Sequence, residues 1–303
     1  MNQSPFPARG CRMSNIMKSI LTLMVIICIQ IIVYTIFLRP LILTWGASEN
    51  EVKMPLVGDS FAPYISSTRA ISINAPISEV WKWLIQLGPD RGGFFSYTFI
   101  EKALGYKGID KIIPEFQEMK VGRIIPGSLN QSKSIIKYSW TVMSVEPGKS
   151  FVLKNWGAFV LKKINTEQTR LIIRTHGWET PTLMSKLGYF VMMPLHYIME
   201  RRMLMGIKTR AEAGAGFQLS STSDVLWFSG IVLSYLGIVL MVFILFGIQK
   251  YLMPSIYGVL WLIILLVFKP QPIYSNIFLF LVAATAVWII FKNRRQSVTD
   301  TNN

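Results

Sequence analysis

The stretch ISINAPISEVWKWLIQLGPDRGGFFSYTFIEKALGY, residues 71–106, decides the fold of the central part of this chain. The alternating run TRAISIN at 68–74 predicts a strand. Pro76 then stands where the first turn of a helix accepts proline, and apolar residues at helical spacing predict an amphipathic helix that ends at Gly88. A glycine- and aromatic-rich loop follows, and a short second helix is predicted at 97–104.

Further strands and one long helix are predicted after this opening. The predicted strands cover residues 134–145, 151–155, 158–164 and 169–178, and the turn signals EPGK and NTEQ lie between them. Pro181 then opens a helix that continues to about residue 213 and contains Pro194, which predicts a kink. This order predicts an α+β fold in which a curved antiparallel sheet grips one long C-terminal helix, the helix-grip arrangement.

Four segments of this region carry a resemblance to a known family. INAPISEVWKWLIQLGPDRGGFFSY, EPGKSFVL, QTRLIIRTHG and MERRMLMGIKTRAE together resemble the START-like, helix-grip superfamily. More narrowly, the chain resembles bacterial membrane-anchored members in which APxxEVWxWLxQLGxDRGGFYSY recurs. The resemblance covers residues 68–215 and implies a cavity for a hydrophobic ligand between the sheet and the long helix. That superfamily contains lipid carriers, polyketide cyclases and dehydratases, so the resemblance implies no single activity.

Apolar runs flank this region on both sides. Half of the chain, 51%, is hydrophobic and only 16% is charged. The runs at 16–38, 225–248, 252–268 and 273–291 are long enough to predict four transmembrane helices. The last three hold no Asp, Glu, His, Lys or Arg, which favours anchoring over a transport path. The predicted organisation is a polar tail at 1–15, a transmembrane helix at 16–38, a linker at 39–67, the START-like domain at 68–215, three transmembrane helices within 225–291 and a basic tail at 292–303.

Charge and topology predict a multi-pass protein of the cell membrane. Four crossings place both termini on one side, and basic residues such as Arg9 and Arg294 in the tails favour cytoplasmic tails and an exported domain. Basic residues such as Arg39 and Lys208 flank the membrane on the other side and weaken this bias. The net charge of +15 fits a solvated basic surface or attraction to anionic lipid. No nucleic-acid-binding signature is found, so nucleic acid is not an expected partner.

The loop GPDRGGFFSY supplies the first candidate ligand-binding residues. Asp90 and Arg91 orient the loop at a cavity mouth or bind a polar ligand head; the alternative is a structural turn in which Arg91 pairs with a carboxylate such as Glu101. Nearby aromatic residues line the ligand or pack in the core. The full set of candidate ligand-binding residues is Asp90, Arg91, Phe95, Tyr97, Glu101, Trp140, Leu171, Ile173, Met193 and Tyr197.

The strand TRLIIRTHGW has two distinct faces. Leu171 and Ile173 fit an apolar interior, which leaves Arg170 and Arg174 on a convex, solvated side. On the long helix, Glu200 suits either a solvated face or an internal ion pair with an arginine.

Three functions remain open from the sequence. The leading hypothesis is an integral membrane protein whose START-like domain binds an apolar or amphipathic small molecule, such as a lipid. The second is an enzyme of the cyclase or dehydratase type that uses Asp90, Glu101 or His176 as acid or base. The third is a non-catalytic membrane component that binds a protein partner. No catalytic residue, metal ion or cofactor is assigned, because no recognisable constellation is present.

Overall fold

The computed structural model describes residues 34–129 and 138–214, together with isolated positions before and after these ranges. The chain divides into two compact units. One comprises Arg39–Ser221, and the other comprises Met1–Leu38 with Thr222–Asn303. Most of the predicted transmembrane residues lie outside the described residues. Among the residues that are described, no helix is both long and apolar enough to cross a membrane.

The Arg39–Ser221 unit is built on one antiparallel sheet. Its strands are β1 (Ile65–Ile73), β2 (Ile124–Pro126), β3 (Ser139–Glu146), β4 (Ser150–Leu153), β5 (Gly157–Lys163) and β6 (Thr169–His176). Their order across the sheet is β1-β6-β5-β4-β3-β2, and every neighbouring pair is antiparallel. The first and last long strands of the sequence therefore lie side by side.

Five α-helices accompany the sheet. They are α1 (Arg39–Leu43), α2 (Glu49–Lys53), α3 (Ile77–Leu84), α4 (Thr98–Ala103) and α5 (Leu183–Ala213), and short 3₁₀ turns cover Asp59–Phe61 and Pro114–Phe116. Pro76 is the N-cap of α3, one position before the helix. Thr182 and Ser185 close the start of α5 with reciprocal side-chain-to-backbone hydrogen bonds, which satisfy amides that the first turn leaves free. The unit is an α+β domain with a six-stranded sheet and a long C-terminal helix.

The hydrophobic core lies between one face of the sheet and helices α3 and α5. Strands contribute alternate residues to it, and α5 contributes mainly through its second half. Its buried members include Ile73, Val80, Trp83, Leu84, Phe95, Phe151, Phe159, Leu171, Ile173, Met203, Leu204, Ile207 and Ala211. The prediction that Leu171 and Ile173 face an apolar interior is confirmed.

Residues 46–62, within the predicted linker 39–67, cover the outer face of the sheet. The guanidinium of Arg174 donates to the carboxylate of Asp59 at 2.7 Å and to backbone carbonyls of Glu51 and Met54. Arg170 binds both carboxylate oxygens of Glu51 at 2.7 and 2.8 Å, and these bonds lower the pKa of Glu51 to about 2. Both arginines lie on the predicted face of the sheet. The expectation that Arg174 is solvated is wrong, because it is almost wholly covered by this segment.

Trp45 and Gly46, where this segment begins, protect the free edge of β1. The amide of Ala70 donates to the carbonyl of Trp45, and a Cβ at Gly46 would overlap the carbonyl of Ala70. Gly46 also has a φ of 72°, a conformation that glycine adopts without strain. Covering an edge strand in this way removes a surface on which another strand could pair.

Candidate functional site

A buried ion pair connects β1 to α5 inside the domain. Nη1 of Arg69 lies 3.0 Å from Oε2 of Glu200, and neither side chain is more than 1% exposed. Alternation along β1 places Arg69 on the face that Ile71 and Ile73 turn toward the core. A charge buried in apolar surroundings costs several kcal/mol unless it is paired. Glu200 is therefore what makes the position of Arg69 tolerable.

Polar groups from three elements surround this pair. The hydroxyl of Thr175 donates to Glu200 at 3.0 Å, and Nδ1 of His196 lies 3.3 Å from the same carboxylate. Nε of Arg69 donates to the carbonyl of Ile42 in α1 at 2.7 Å. The guanidinium also stands over an aromatic ring of α5 at 5.3 Å. We call this set the buried polar cluster: Arg69, Thr175, His196, Tyr197 and Glu200.

The charges of the buried polar cluster balance. Desolvation lowers the pKa of His196, whose side chain is nevertheless 31% exposed, so its imidazole is neutral at neutral pH. Burial likewise raises the pKa of Tyr197, so its phenol keeps its proton. One positive group, Arg69, thus faces one negative group, Glu200.

Three buried polar atoms at the cluster lack a hydrogen-bond partner among the described residues. They are Nη1 and Nη2 of Arg69 and Oγ of Ser67. Nη1 is the atom that faces Glu200 in the ion pair, at 3.0 Å. Ser67 lies directly opposite Thr175 in the β1–β6 pairing, which places it beside the cluster. An unsatisfied buried polar atom costs about 1–3 kcal/mol. Nη2 of Arg69 and Oγ of Ser67 are therefore places where a polar group of a bound molecule would be stabilised.

The first half of α5 covers this region and is weakly attached. Between Leu183 and Met199, a range described throughout, the structure buries Met193 and Tyr197 alone. Ser66 of β1 adds two hydrogen bonds to this half-helix: its hydroxyl lies 2.5 Å from that of Tyr189, and it donates to the sulfur of Met193 at 3.6 Å. Local opening is favoured where few apolar contacts hold an element.

The loop after α3 is held by Arg91 as a structural turn. Its Nη2 donates to the backbone carbonyls of Ile85, Phe116 and Glu118. Burial lowers the pKa of Arg91 to about 10, which leaves it charged at neutral pH. The neighbouring Asp90 points elsewhere and binds Arg123 at 2.7 Å, on the surface. The two adjacent charges therefore act separately, and Arg91 contacts no carboxylate in the bonds the structure shows.

Glu101 organises the second half of the same loop. Its carboxylate accepts hydrogen bonds from the amides of Phe94 at 3.1 Å and Ser96 at 2.6 Å. Burial raises its pKa above the usual range, and the two amides oppose that rise. Phe95 has a φ of 58° and is 1% exposed, and Tyr97 is likewise buried. These predicted site residues hold the loop against the core.

Trp140 belongs to an aromatic cluster at the other end of the sheet. Its ring lies 4.6 Å from that of Trp156 and 5.7 Å from that of Phe94. Tyr106 and Phe159 pack edge-on against members of the same group. These mutual contacts are those of a packed core.

The structure does not gather the predicted site residues into one place. Met193 and Tyr197 lie at or beside the buried polar cluster, and Ile173 is directly opposite Arg69 on the neighbouring strand. The others lie in the core, the loop or the aromatic cluster: Asp90, Arg91, Phe95, Tyr97, Glu101, Trp140 and Leu171. Arg69 and Ser67 were not predicted. The signal was present in TRAISIN, where the alternation groups Arg69 with isoleucines on one face.

His176, a candidate base, lies on the outer face of the sheet. It shares that face with Arg174, near Asp59 of the covering segment, and burial lowers its pKa. Neither ring nitrogen has a hydrogen-bond partner within the described part of the chain. Asp90, Glu101 and His176 thus occupy three different surroundings.

Comparison with known proteins gives no family. No protein-family model matches this sequence, and no curated protein is similar to it. Across the described residues, no group of three or more His, Cys, Asp or Glu side chains is placed to hold a metal ion. Function is therefore inferred from the residues and geometry of the chain itself.

Proposed function

We propose that this protein is a membrane-tethered START-like, helix-grip domain that binds an amphipathic small molecule, such as a lipid. The single observation that supports this is the buried polar cluster beneath α5. An apolar interior would be more stable without a charged pair, since replacing such a pair by packed apolar groups is often neutral or stabilising. Its presence, with unsatisfied polar atoms on Arg69 and Ser67, fits the recognition of a polar head group.

The surroundings of the cluster suit the remainder of such a molecule. Ile173 lies opposite Arg69 in the sheet, and Met193 is buried on the facing side of α5. Methionine is an adaptable packing residue that accommodates apolar groups of varied shape. An acceptor group of the ligand would bind Nη2 of Arg69, and its apolar part would replace protein contacts under the first half of α5.

The proposed location is the cell membrane, with the domain on its exported face. The predicted apolar run 16–38 ends one residue before α1. A membrane anchor joined directly to a binding domain keeps that domain at high local concentration beside its lipid source. The basic composition of the chain favours a surface that contains anionic lipid.

Photo-crosslinking of the full chain tests this proposal. A fatty acid that carries a diazirine and an alkyne is added to the protein in nanodiscs, and labelled peptides are identified by mass spectrometry. We expect labelled residues in β1 and, on α5, at the sheet-facing positions Met193 and Tyr197. Arg69→Lys should reduce that labelling, whereas Arg123→Lys, which changes a surface partner of Asp90, should not. Labelling confined to residues 16–38 and 225–291 would contradict the proposal.

The structure offers different support for the two alternative functions. The cyclase or dehydratase hypothesis required an acid or base at the ligand, and Asp90, Glu101 and His176 are dispersed. The partner-binding hypothesis has one observation in its favour, the apolar outer surface of α5, for which we infer a different occupant below.

A further inference from the structure

The first half of α5 exposes an apolar surface where a solvated helix carries polar residues. Each residue of this surface is between 48% and 84% exposed. We call it the outer apolar face, and it consists of Leu183, Met184, Leu187, Val191, Leu195 and Met199.

The outer apolar face is opposite the side that packs on the sheet. At 100° per residue these six side chains span about half of the helix circumference, and Met193, Tyr197 and Glu200 lie on the other half. The second half of α5 differs, since its outward positions include Arg202, Thr209 and Glu212. A helix that is apolar on both sides is covered on both sides in its working state.

Charge and aromatic residues identify what covers this face. No Asp or Glu occurs from Thr180 to Met199, and Lys186 is the one residue there with a permanent charge. Trp178 and Tyr64 lie half exposed at the start of the helix, and Trp178 packs edge-on against Tyr189 at 4.6 Å. The exposed Glu179 directly follows Trp178 and precedes the helix. Half-exposed Trp and Tyr beside an apolar helix face that itself carries no acid are typical of the membrane–water interface.

The position of the chain's predicted anchor agrees with this. The apolar run 16–38 ends at the residue before Arg39, and α1 packs against α5. The domain therefore begins without a spacer after the predicted membrane segment.

We propose that the outer apolar face lies in the interface of the lipid bilayer, with Trp178 and Tyr64 at its rim. This docking goes beyond ligand binding, because it uses the surface of α5 that faces away from the buried polar cluster. It places the weakly attached half-helix in contact with the lipid from which a ligand would enter.

Depth-dependent fluorescence quenching tests the docking with the full chain. Cys11 and Cys28 are changed to serine, and a single cysteine is introduced by Leu187→Cys or Val191→Cys and labelled with the polarity-sensitive probe NBD. The control is Glu167→Cys, in the exposed turn between β5 and β6. Each protein is reconstituted in vesicles of phosphatidylcholine with a minor fraction of phosphatidylglycerol, with or without brominated acyl chains.

We expect blue-shifted emission and loss of fluorescence in brominated lipid for probes at 187 and 191, and neither change at 167. Emission at 187 and 191 equal to that at 167 would overturn the proposal. Blue-shifted emission that brominated lipid does not quench would also overturn it, because protein rather than lipid would then cover the face. Docking observed without interior crosslinking would leave this proposal standing and contradict the ligand-binding one.

Discussion

Arg69 and Glu200 form an ion pair of 3.0 Å between an edge strand and the middle of the long helix, with both side chains almost fully buried. The pair connects residues that are 131 positions apart in the chain, since 200 − 69 = 131. Each charge depends on the other, because neither can be solvated by water where it lies. The pair therefore specifies how α5 is placed on the sheet.

Removing one member of this pair should destabilise the domain strongly. Glu200→Gln or Arg69→Met leaves a buried charge unpaired, and we expect a loss of about 3–5 kcal/mol in the free energy of opening. The measurement is hydrogen exchange of the amides of β1 and β6 in the full chain.

The double variant Arg69→Met/Glu200→Leu serves as the control for this prediction. It removes both charges together, and we expect it to recover most of the loss, because no unpaired charge remains. Losses that simply add in the double variant would show that the two charges do not interact.

The close approach of α5 to the loop after α3 should make Gly206 sensitive to any side chain. A Cβ there would overlap the carbonyl of Phe95, whose φ of 58° already fixes the loop. We expect Gly206→Ala to lower stability by about 1–3 kcal/mol, as overpacking does. The thermal unfolding midpoint, followed by tryptophan fluorescence, measures the change.

Gly188, in the same helix, provides the matched comparison for Gly206. A Cβ at Gly188 meets no atom within 4 Å. Gly188→Ala should therefore raise stability by up to about 1 kcal/mol, the difference in helix propensity. Equal effects at both positions would mean that the contact between α5 and the loop is absent in solution.

The segment that covers the outer face of the sheet should depend on Arg174. Its guanidinium reaches Thr68, Asp59 and three carbonyls of the segment, and a lysine ammonium cannot reproduce that planar set. We expect Arg174→Lys to weaken protection of amides 48–62 by about 2–4 kcal/mol in hydrogen exchange, since bonds to charged groups contribute about 1.5–3 kcal/mol each and are not additive. Arg123→Lys is the control, and loss of protection in both variants would point to a general effect.

The sequence predicts the order of strands and long helix well, because those elements have strong local periodicity. β3 to β6 begin and end within a few residues of the predictions wherever the structure describes them. The placement of residues 39–64 on the sheet could not be predicted from local periodicity. Their helices are short, and what places them is a set of hydrogen bonds to Arg170 and Arg174, more than 100 positions away.

The candidate site shows the same division between local and distant information. The partner of Arg69 is a carboxylate on the face of α5 that meets β1. The helical pattern alone did not decide whether Glu200 is on that face or on the solvated one. The composition of the glycine-rich loop is distinctive and led to the predictions there. In the structure Arg91 and Glu101 bind backbone groups within or near the loop, and Asp90 binds the side chain of Arg123. Compositional signals thus identified a structural turn, and pairing across the fold identified the cluster.

The buried histidine His176 should make stability depend on pH below neutrality. Burial lowers its pKa in the folded state. Below about pH 6.5 the unfolded chain therefore binds a proton at this histidine that the folded chain does not bind. Stability is therefore full above that pH and falls as the pH decreases toward the folded pKa. His196 acts in the same direction, whereas Glu51 contributes only below about pH 4.5.

We expect the free energy of unfolding of His176→Leu to lie within about 1 kcal/mol of that of the wild type at pH 7.5, since the ring makes no hydrogen bond in the described structure.

Thermal unfolding midpoints at pH 7.5, 6.5 and 5.5, values chosen on either side of the unfolded histidine pKa of about 6.5, measure this dependence. The fall in midpoint between the highest and lowest pH should be smaller for His176→Leu than for the wild type, with the remainder due to His196. His176→Gln is the polar comparison: it also removes the titration but leaves a buried amide to satisfy, so we expect it to be less stable than His176→Leu at every pH. An unchanged pH dependence in both variants would show that the imidazole is protonated or solvated in the folded protein.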